Sequence, residues 1–134
     1  MLRALRDYLK VLGASRALGR AGRLTKRGDD EGAIVAYREV IRRVDELGSL
    51  PTDFQRFSFS DVGHASIRLA AYGDLAVLLD RAGDHEAAKE YARGVLELCR
   101  LVPRKPGDAS DVFAKWERWA RAFTLLSKPG APSR

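Results

Sequence analysis

One pattern around a Gly-Asp pair occurs twice, in LTKRGDDEGAIVAYREVI (residues 24–41) and in LLDRAGDHEAAKEYARGVL (residues 78–96). In each copy a leucine lies four residues before the glycine, a glutamate two residues after the aspartate, and an alanine two residues after that glutamate. Glycine accepts a left-handed backbone and aspartate caps a following helix, so each pair predicts a tight turn between two helices. We therefore expect two helical hairpins that turn at Gly28 and Gly83.

Apolar residues at helical spacing extend on both sides of the two turns. Amphipathic stripes run over residues 30–47, from Val62 to Leu79, and over about 85–101, where Pro103 follows. A last helix is expected after the potential caps of residues 108–111, with Trp116 and Trp119 on one apolar face that packs onto the second hairpin. Ser60 or Asp61 is expected to cap the helix that begins near Val62. The tail, residues 128–134, is rich in proline, glycine and serine and is expected to be flexible.

The phase of the apolar stripe changes at Gly13. Before it, leucines form one stripe; after it, Leu18, Ala21 and Leu24 form a stripe rotated by roughly half a turn. Either the helix kinks there, with Ser15 as a new N-cap, or a straight helix is sandwiched between neighbours. In the first case residues 2–12 form a separate covering helix at the N-terminal end.

Composition restricts the class of protein. The chain has 134 residues, of which 46% are hydrophobic, with no apolar run of the roughly 20 residues that a membrane span needs. No long stretch alternates apolar and polar residues, so an all-α fold of five or six helices is expected, as one domain over residues 1–127. Cys99 alone cannot form an internal disulfide, and with two histidines the chain is poor in metal ligands. We expect a cytoplasmic protein with no catalytic residue, metal site or cofactor.

Charge is distributed in blocks. Residues 1–28 hold eight basic side chains and one acidic one, a net charge of +7, whereas residues 29–97 hold eight basic and fourteen acidic ones, a net charge of −6. Residues 98–134 return to +5, and the whole chain carries +6. The basic ends favour an acidic partner or a head-to-tail contact between copies; the alternative is an arginine-rich solvated surface.

The two hairpins resemble the tetratricopeptide repeat (TPR), a helix-turn-helix unit of about 34 residues. In the second copy Tyr72 stands at the aromatic position of the first helix, and Leu75-Ala76 at its Leu-Gly position. The first copy departs from the pattern, with Ala17 and Arg20 at the corresponding places, and the turn glycines lie 55 rather than 34 residues apart. The resemblance covers about residues 15–102 and implies two stacked hairpins with covering helices at both ends.

The resemblance implies a protein-interaction module that holds a peptide on the first helices of its hairpins. The alternative function is binding of nucleic acid or an anionic surface through the basic N-terminal region, although no recognition motif supports sequence reading. In the first function, the expected partner is an acidic protein or peptide, with self-association as a further possibility. Lys26, Val77 and Arg81 would contribute to that surface, and Arg16, Arg20 and Arg23 of the basic N-terminal region would set the choice of an acidic partner.

Two further groups are candidates for partner contact. Asp61, His64 and Arg68 share one helical face by their spacing, and together they could grip a peptide or an anion. The alternative is a charged helix start, with Asp61 in a cap and Arg68 paired locally. In the connector, Phe54 and Phe57 either belong to a binding loop or fill the gap between the hairpins.

Overall fold

The computed structural model of the protein describes residues 2–102 and 112–126. In this part of the chain five α-helices and no strand are present, so the all-α prediction is confirmed. The expected caps at residues 108–111 and the tail at 128–134 lie outside the described residues. The helices are α1 (Leu2–Lys26), α2 (Asp30–Asp45), α3 (Phe59–Arg81), α4 (His85–Leu101) and α5 (Val112–Leu126), and a 3-10 turn (Phe54–Arg56) lies between α2 and α3.

The two Gly-Asp turns have the same geometry. Gly28 and Gly83 adopt φ values of +80° and +89°, in the left-handed region that glycine tolerates. The aspartate that follows each glycine caps the next helix: Asp29 accepts the Gly32 N–H at 2.9 Å, and Asp84 accepts the Ala87 N–H at 3.3 Å. The predicted hairpins, α1–α2 and α3–α4, are therefore confirmed.

The hairpins stack in chain order. Helix α3 packs against both α1 and α2, and α5 packs against both α4 and α3. Each later helix thus covers apolar surface that the preceding hairpin cannot bury alone. The core between the hairpins contains, among others, Ala17, Ala21, Ala33, Tyr37, Val40, Val44, Ala71, Leu75 and Leu78.

Helix α5 covers the second hairpin through its aromatic face. Trp116 lies so close to Gly73 that a Cβ atom there would come within 2.4 Å of the indole ring. Trp119 and Phe123 stack with their ring centroids 5.2 Å apart. Together with Trp116 they pack against a buried cluster formed by Leu69, Ala92, Val95, Leu98, Cys99 and Ala120. The tryptophans therefore belong to the packing of α5, as predicted.

Helix α1 is continuous, so the kink proposed at Gly13 is absent. Ser15 lies inside the helix and caps nothing, and residues 2–12 are the first turns of α1, not a separate covering helix. Nor is this end of α1 enclosed, because Leu2, Leu5 and Leu9 remain 80%, 54% and 56% exposed. A straight helix with two apolar faces therefore has one of them covered and the other open.

The start of α3 also differs from the expectation. Its N-cap is Ser58, whose hydroxyl accepts the Asp61 N–H at 3.2 Å while the Asp61 carboxylate accepts the Ser58 N–H at 2.8 Å. This reciprocal capping box satisfies two backbone donors at once, which neither Ser60 nor Asp61 as N-cap would do. The helix consequently begins at Phe59.

Candidate functional site

Four of the predicted contact residues lie on the C-terminal half of α1. Arg16, Arg20 and Arg23 follow one another at spacings of four and three, which places them on one side of the helix, and Lys26 ends it. All four side chains are exposed. Within residues 2–102 and 112–126, none of them is paired with an acidic side chain. The arginines therefore present uncompensated positive charge to solvent.

Two of the three arginines on the neighbouring helix α2 behave differently. Arg42 pairs with Glu39 at 2.6 Å and also with Glu46, and Arg43 pairs with Glu39 at 3.1 Å. Hydrogen bonding to Arg42 is the main cause that lowers the pKa of Glu39 to about 2. Arg42 and Arg43 are thus neutralised on α2, whereas Arg38 of that helix and the arginines of the α1 row have no acidic partner among the described residues.

The arginine positions continue a row that begins with leucines. Leu2, Leu5, Leu9 and Leu12 precede Arg16, Arg20 and Arg23 at successive spacings of three or four, so all seven residues lie on one side of α1. We call this surface the α1 outer face. Sequence reasoning identified the leucines and the arginines separately, although the unbroken spacing was readable. It missed that they share one face because it treated the leucines as an apolar stripe and the arginines as part of a charge block.

Two grooves run beside the α1 outer face, between α1 and α2. The first has a volume of about 320 Å³ and includes Leu9, and the second has about 380 Å³ and includes Arg20. The first is lined by Arg6, Leu9, Lys10, Gly13, Arg43 and Glu46, and the second by Ala17, Arg20, Leu24, Gly32, Val35, Ala36 and Glu39. Both ends of the row thus adjoin space that could receive side chains of a partner.

The predicted cluster at the start of α3 does not form an open site. Asp61 is engaged in the capping box, and His64 is only 3% exposed. Arg68 donates from Nε to His64 Nε2 at 3.0 Å and from Nη1 to the Tyr72 hydroxyl at 2.7 Å, and it pairs with Asp45 at 2.9 Å. The ion pair with Asp45 ties α3 to the end of α2, and the contacts with His64 and Tyr72 lie within α3, so the local interpretation fits the geometry better.

His64 is held neutral in this network. Burial disfavours its charged ring and the adjacent Arg68 guanidinium repels it, which together lower the pKa of His64 from 6.5 to about 4. Because Arg68 Nε donates to Nε2, we assign the imidazole proton to Nδ1. The histidine therefore stabilises the interior of the fold and does not reach a partner directly.

The connector and the far end of α3 hold the remaining candidates. Phe54 and Phe57 contact each other, with ring centroids 4.9 Å apart, and neither belongs to the core between the hairpins or to the buried cluster that α5 covers. Val77 is half-buried. Arg81 donates to both carboxylate oxygens of Asp30, at 3.0 and 3.2 Å, and is thus occupied in joining α3 to α2.

A buried polar pair that the sequence did not reveal lies between α2 and α3. The Tyr37 hydroxyl donates to Asp74 Oδ2 at 2.9 Å. Burial, with the nearby Asp74 charge, raises the pKa of Tyr37 to about 12, and burial likewise raises the pKa of Asp74. The charge of Lys115 on α5 lowers the pKa of this carboxylate in part, and α5 packs on the same part of α3, where Trp116 lies against Gly73. The pair stabilises the contact between hairpins, and α5 occupies part of the surface that a peptide was expected to use.

The described residues contain neither a metal-binding cluster nor a membrane-spanning helix. Among residues 2–102 and 112–126, no group of three or more His, Cys, Asp or Glu side chains is arranged to hold a metal ion. Over the same residues, no helix combines the length and the apolar character that crossing a bilayer requires. The α1 outer face is the candidate site because three of its leucines and its three arginines are exposed in one row.

Residues 68–102 match the family model of the tetratricopeptide repeat. The matched segment begins within α3 and ends just after α4, so it corresponds to the second hairpin. Comparison with the curated proteins and with the solved structures gives no match. With its all-helical architecture the chain is a TPR-like helical protein, and its fold is of the protein-interaction kind.

Proposed function

We propose that the chain is a non-catalytic interaction module that binds an acidic peptide or protein through Arg16, Arg20 and Arg23. The observation that carries this proposal is the uncompensated charge of these three exposed side chains, which stand in one row, whereas Arg42 and Arg43 on the neighbouring helix are paired with glutamates. Guanidinium groups bind carboxylates in a planar, bidentate manner, which suits an acidic partner. We place this activity in the cytoplasm and assign it no cofactor.

The arginine row does not benefit the fold itself. Like charges three or four residues apart on a helix repel one another, each pair costing about 0.2–0.5 kcal/mol. Arg16, Arg20 and Arg23 stand at those spacings without a compensating acid. A surface that costs stability and is nevertheless kept open fits a role in binding.

Replacement of the three arginines tests the proposal. The Arg16→Gln/Arg20→Gln/Arg23→Gln variant should fold with unchanged or slightly higher stability and lose at least tenfold in affinity for an acidic partner. The matched control is Arg93→Gln/Arg100→Gln/Arg118→Gln, which removes the same charge from exposed positions on α4 and α5. Partners captured from lysate treated with nuclease, at low and high salt, would be compared between the two variants.

Three outcomes would contradict the proposal. Equal capture by both variants would locate the interface elsewhere, for example at Phe54 and Phe57. Capture that disappears with nuclease, together with salt-dependent binding of duplex DNA, would favour the nucleic-acid alternative. Unfolding of the first variant would show that the arginines are structural.

A further inference from the structure

The α1 outer face changes character halfway along one unbroken helix. Its first half consists of leucines, of which Leu2, Leu5 and Leu9 are more than half exposed, and its second half consists of arginines. The distance from Leu2 to Arg23 along the axis is about 32 Å at 1.5 Å per residue. Along this row apolar and cationic residues are thus segregated end to end, while Arg6 and Lys10 flank the leucine half beside the first groove.

This segregation argues against a membrane or a nucleic acid as the partner that binds the α1 outer face. A helix that lies on a membrane keeps apolar residues along its whole buried face and basic residues beside it. On α1 the arginines continue the row of the leucines. If the helix lay flat on a membrane, the arginines would therefore enter the bilayer to the same depth as the leucines. A nucleic acid would use only the arginines and leave Leu2, Leu5 and Leu9 in water.

A second copy of the chain also fits this face poorly. Parallel pairing of two α1 outer faces would set arginine against arginine, and antiparallel pairing over the full row would set leucine against arginine. The net charge of +7 on residues 1–28 of each copy adds repulsion. The occupant must therefore combine apolar residues with carboxylates in the complementary order.

We infer that the α1 outer face binds an amphipathic helix of a partner protein, antiparallel to α1, with carboxylates in its N-terminal half and apolar residues in its C-terminal half. The antiparallel direction sets the partner's N-terminal carboxylates against Arg16, Arg20 and Arg23, and its apolar half against the leucines. Carboxylates in the first turns also stabilise the partner's own helix through its dipole. The inference rests on the proposed function, and it adds the leucine half, the helical form of the partner and its direction.

The grooves on either side of Gly13 agree with such an occupant. Leu9 lines the groove of about 320 Å³, and Arg20 lines the groove of about 380 Å³. A helix laid along α1 would place successive side chains into these two spaces, since residues three and four apart share one face. Val35, which is 68% exposed in the second groove, would be covered at the same time.

Two synthetic peptides of identical composition test the inference with the full chain. Each has about 22 residues; one carries glutamates in its first half and leucines in its second half, at spacings of three and four, and the other carries them in the reverse order. Binding of the fluorescein-labelled peptides is followed by anisotropy. The acid-first peptide should bind at least tenfold more tightly than the reversed one, and equal or weaker binding of the acid-first peptide would overturn the inference.

Variants then separate the two halves of the face. Leu5→Ser/Leu9→Ser and Arg16→Gln/Arg20→Gln/Arg23→Gln should each weaken binding of the acid-first peptide at least tenfold. The matched controls are Leu125→Ser, an exposed leucine on α5, and Arg93→Gln/Arg100→Gln/Arg118→Gln, and both should bind unchanged. Circular dichroism would confirm that every variant keeps its helices.

The two proposals fail in different ways. If the arginine variant loses binding and the leucine variant does not, the inference is overturned while the proposed function stands. If neither variant matters, both are overturned. Leucine-dependent binding to phosphatidylserine vesicles without peptide binding, or a leucine-dependent dimer in sedimentation, would overturn the inference in favour of a membrane or a second copy.

Discussion

The two hairpins share a turn but differ in what surrounds their first helices. Helix α3 buries ten residues, among them Leu69, Leu75 and Leu78, because α1 and α2 lie on one side of it and α4 and α5 on others. Helix α1 is of similar length but buries only Ala14, Ala17 and Ala21. The Gly-Asp turn thus specifies a hairpin, whereas the number of neighbours decides how much of each helix becomes core.

The difference between the two hairpins also explains why the family model matches the second hairpin and not the first. In the second hairpin, Tyr72 packs so closely on Gly94 that a Cβ atom there would lie 2.6 Å from the ring. In the first hairpin Ala17 takes the aromatic position, and Arg20 faces solvent. The first hairpin therefore lacks the large packing residues by which a repeat is recognised, although its turn and its cap are the same.

The largest expected difference concerns two leucines on the first helices. Leu75 is fully buried, so Leu75→Ala should lower the free energy of unfolding by about 2–5 kcal/mol. Leu5 is 54% exposed, so Leu5→Ala should change it by less than about 0.5 kcal/mol. Urea unfolding followed by circular dichroism measures both. A loss above about 1 kcal/mol for Leu5→Ala would mean that the α1 outer face is already covered in solution.

Replacement of Trp116 should weaken the packing of α5, the helix that covers the second hairpin. We expect Trp116→Ala to cost about 3 kcal/mol, at the low end for tryptophan because the ring is only half-buried. Gly73→Ala should destabilise the wild-type chain, since its Cβ atom would lie 2.4 Å from the indole, and should be tolerated in the Trp116→Ala background. Thermal unfolding of the four proteins forms a double-mutant cycle. Additive effects would show that α5 does not pack on Gly73 in solution.

The pH dependence of the free energy of unfolding tests whether His64 is buried in the interior, unlike the exposed residues of α1. Because the pKa of His64 is about 4 in the fold and its ordinary value is 6.5, the unfolded chain takes up a proton between these values that the folded chain does not. Stability should therefore fall by about 2 kcal/mol from pH 7 to pH 5 through this residue.

His64→Gln should abolish that part of the pH dependence, as measured by urea unfolding at several pH values. The raised pKa of Asp74 gives a contribution of the opposite sign, but it is present in both proteins and does not affect their difference. Parallel pH profiles of the two proteins would show that His64 is not buried as described.

The smallest expected effect tests the equivalence of the turns. Asp29→Ala and Asp84→Ala each remove a helix cap and should each cost about 1 kcal/mol. The two values should agree within about 0.5 kcal/mol, because in both turns the same side chain caps the following helix in the same way. A much larger cost at one turn would mean that the hairpins are not equivalent even where their backbones are.

The sequence by itself determined the local part of this protein. The Gly-Asp pairs, their caps and the apolar spacing suffice for the helices and the hairpins, because each depends on residues within one or two helical turns. Only the tertiary structure decided which apolar face of α1 is covered. It also decided that Arg68 pairs with Asp45 and that Trp116 packs on Gly73. A helical pattern shows that α1 has two apolar faces, but the choice between them depends on neighbours that are distant in the chain. For that physical reason the spacing of the leucines and arginines of the α1 outer face can be read in the sequence, whereas their exposure and the lack of an acidic partner for the arginines were decided by the folded molecule.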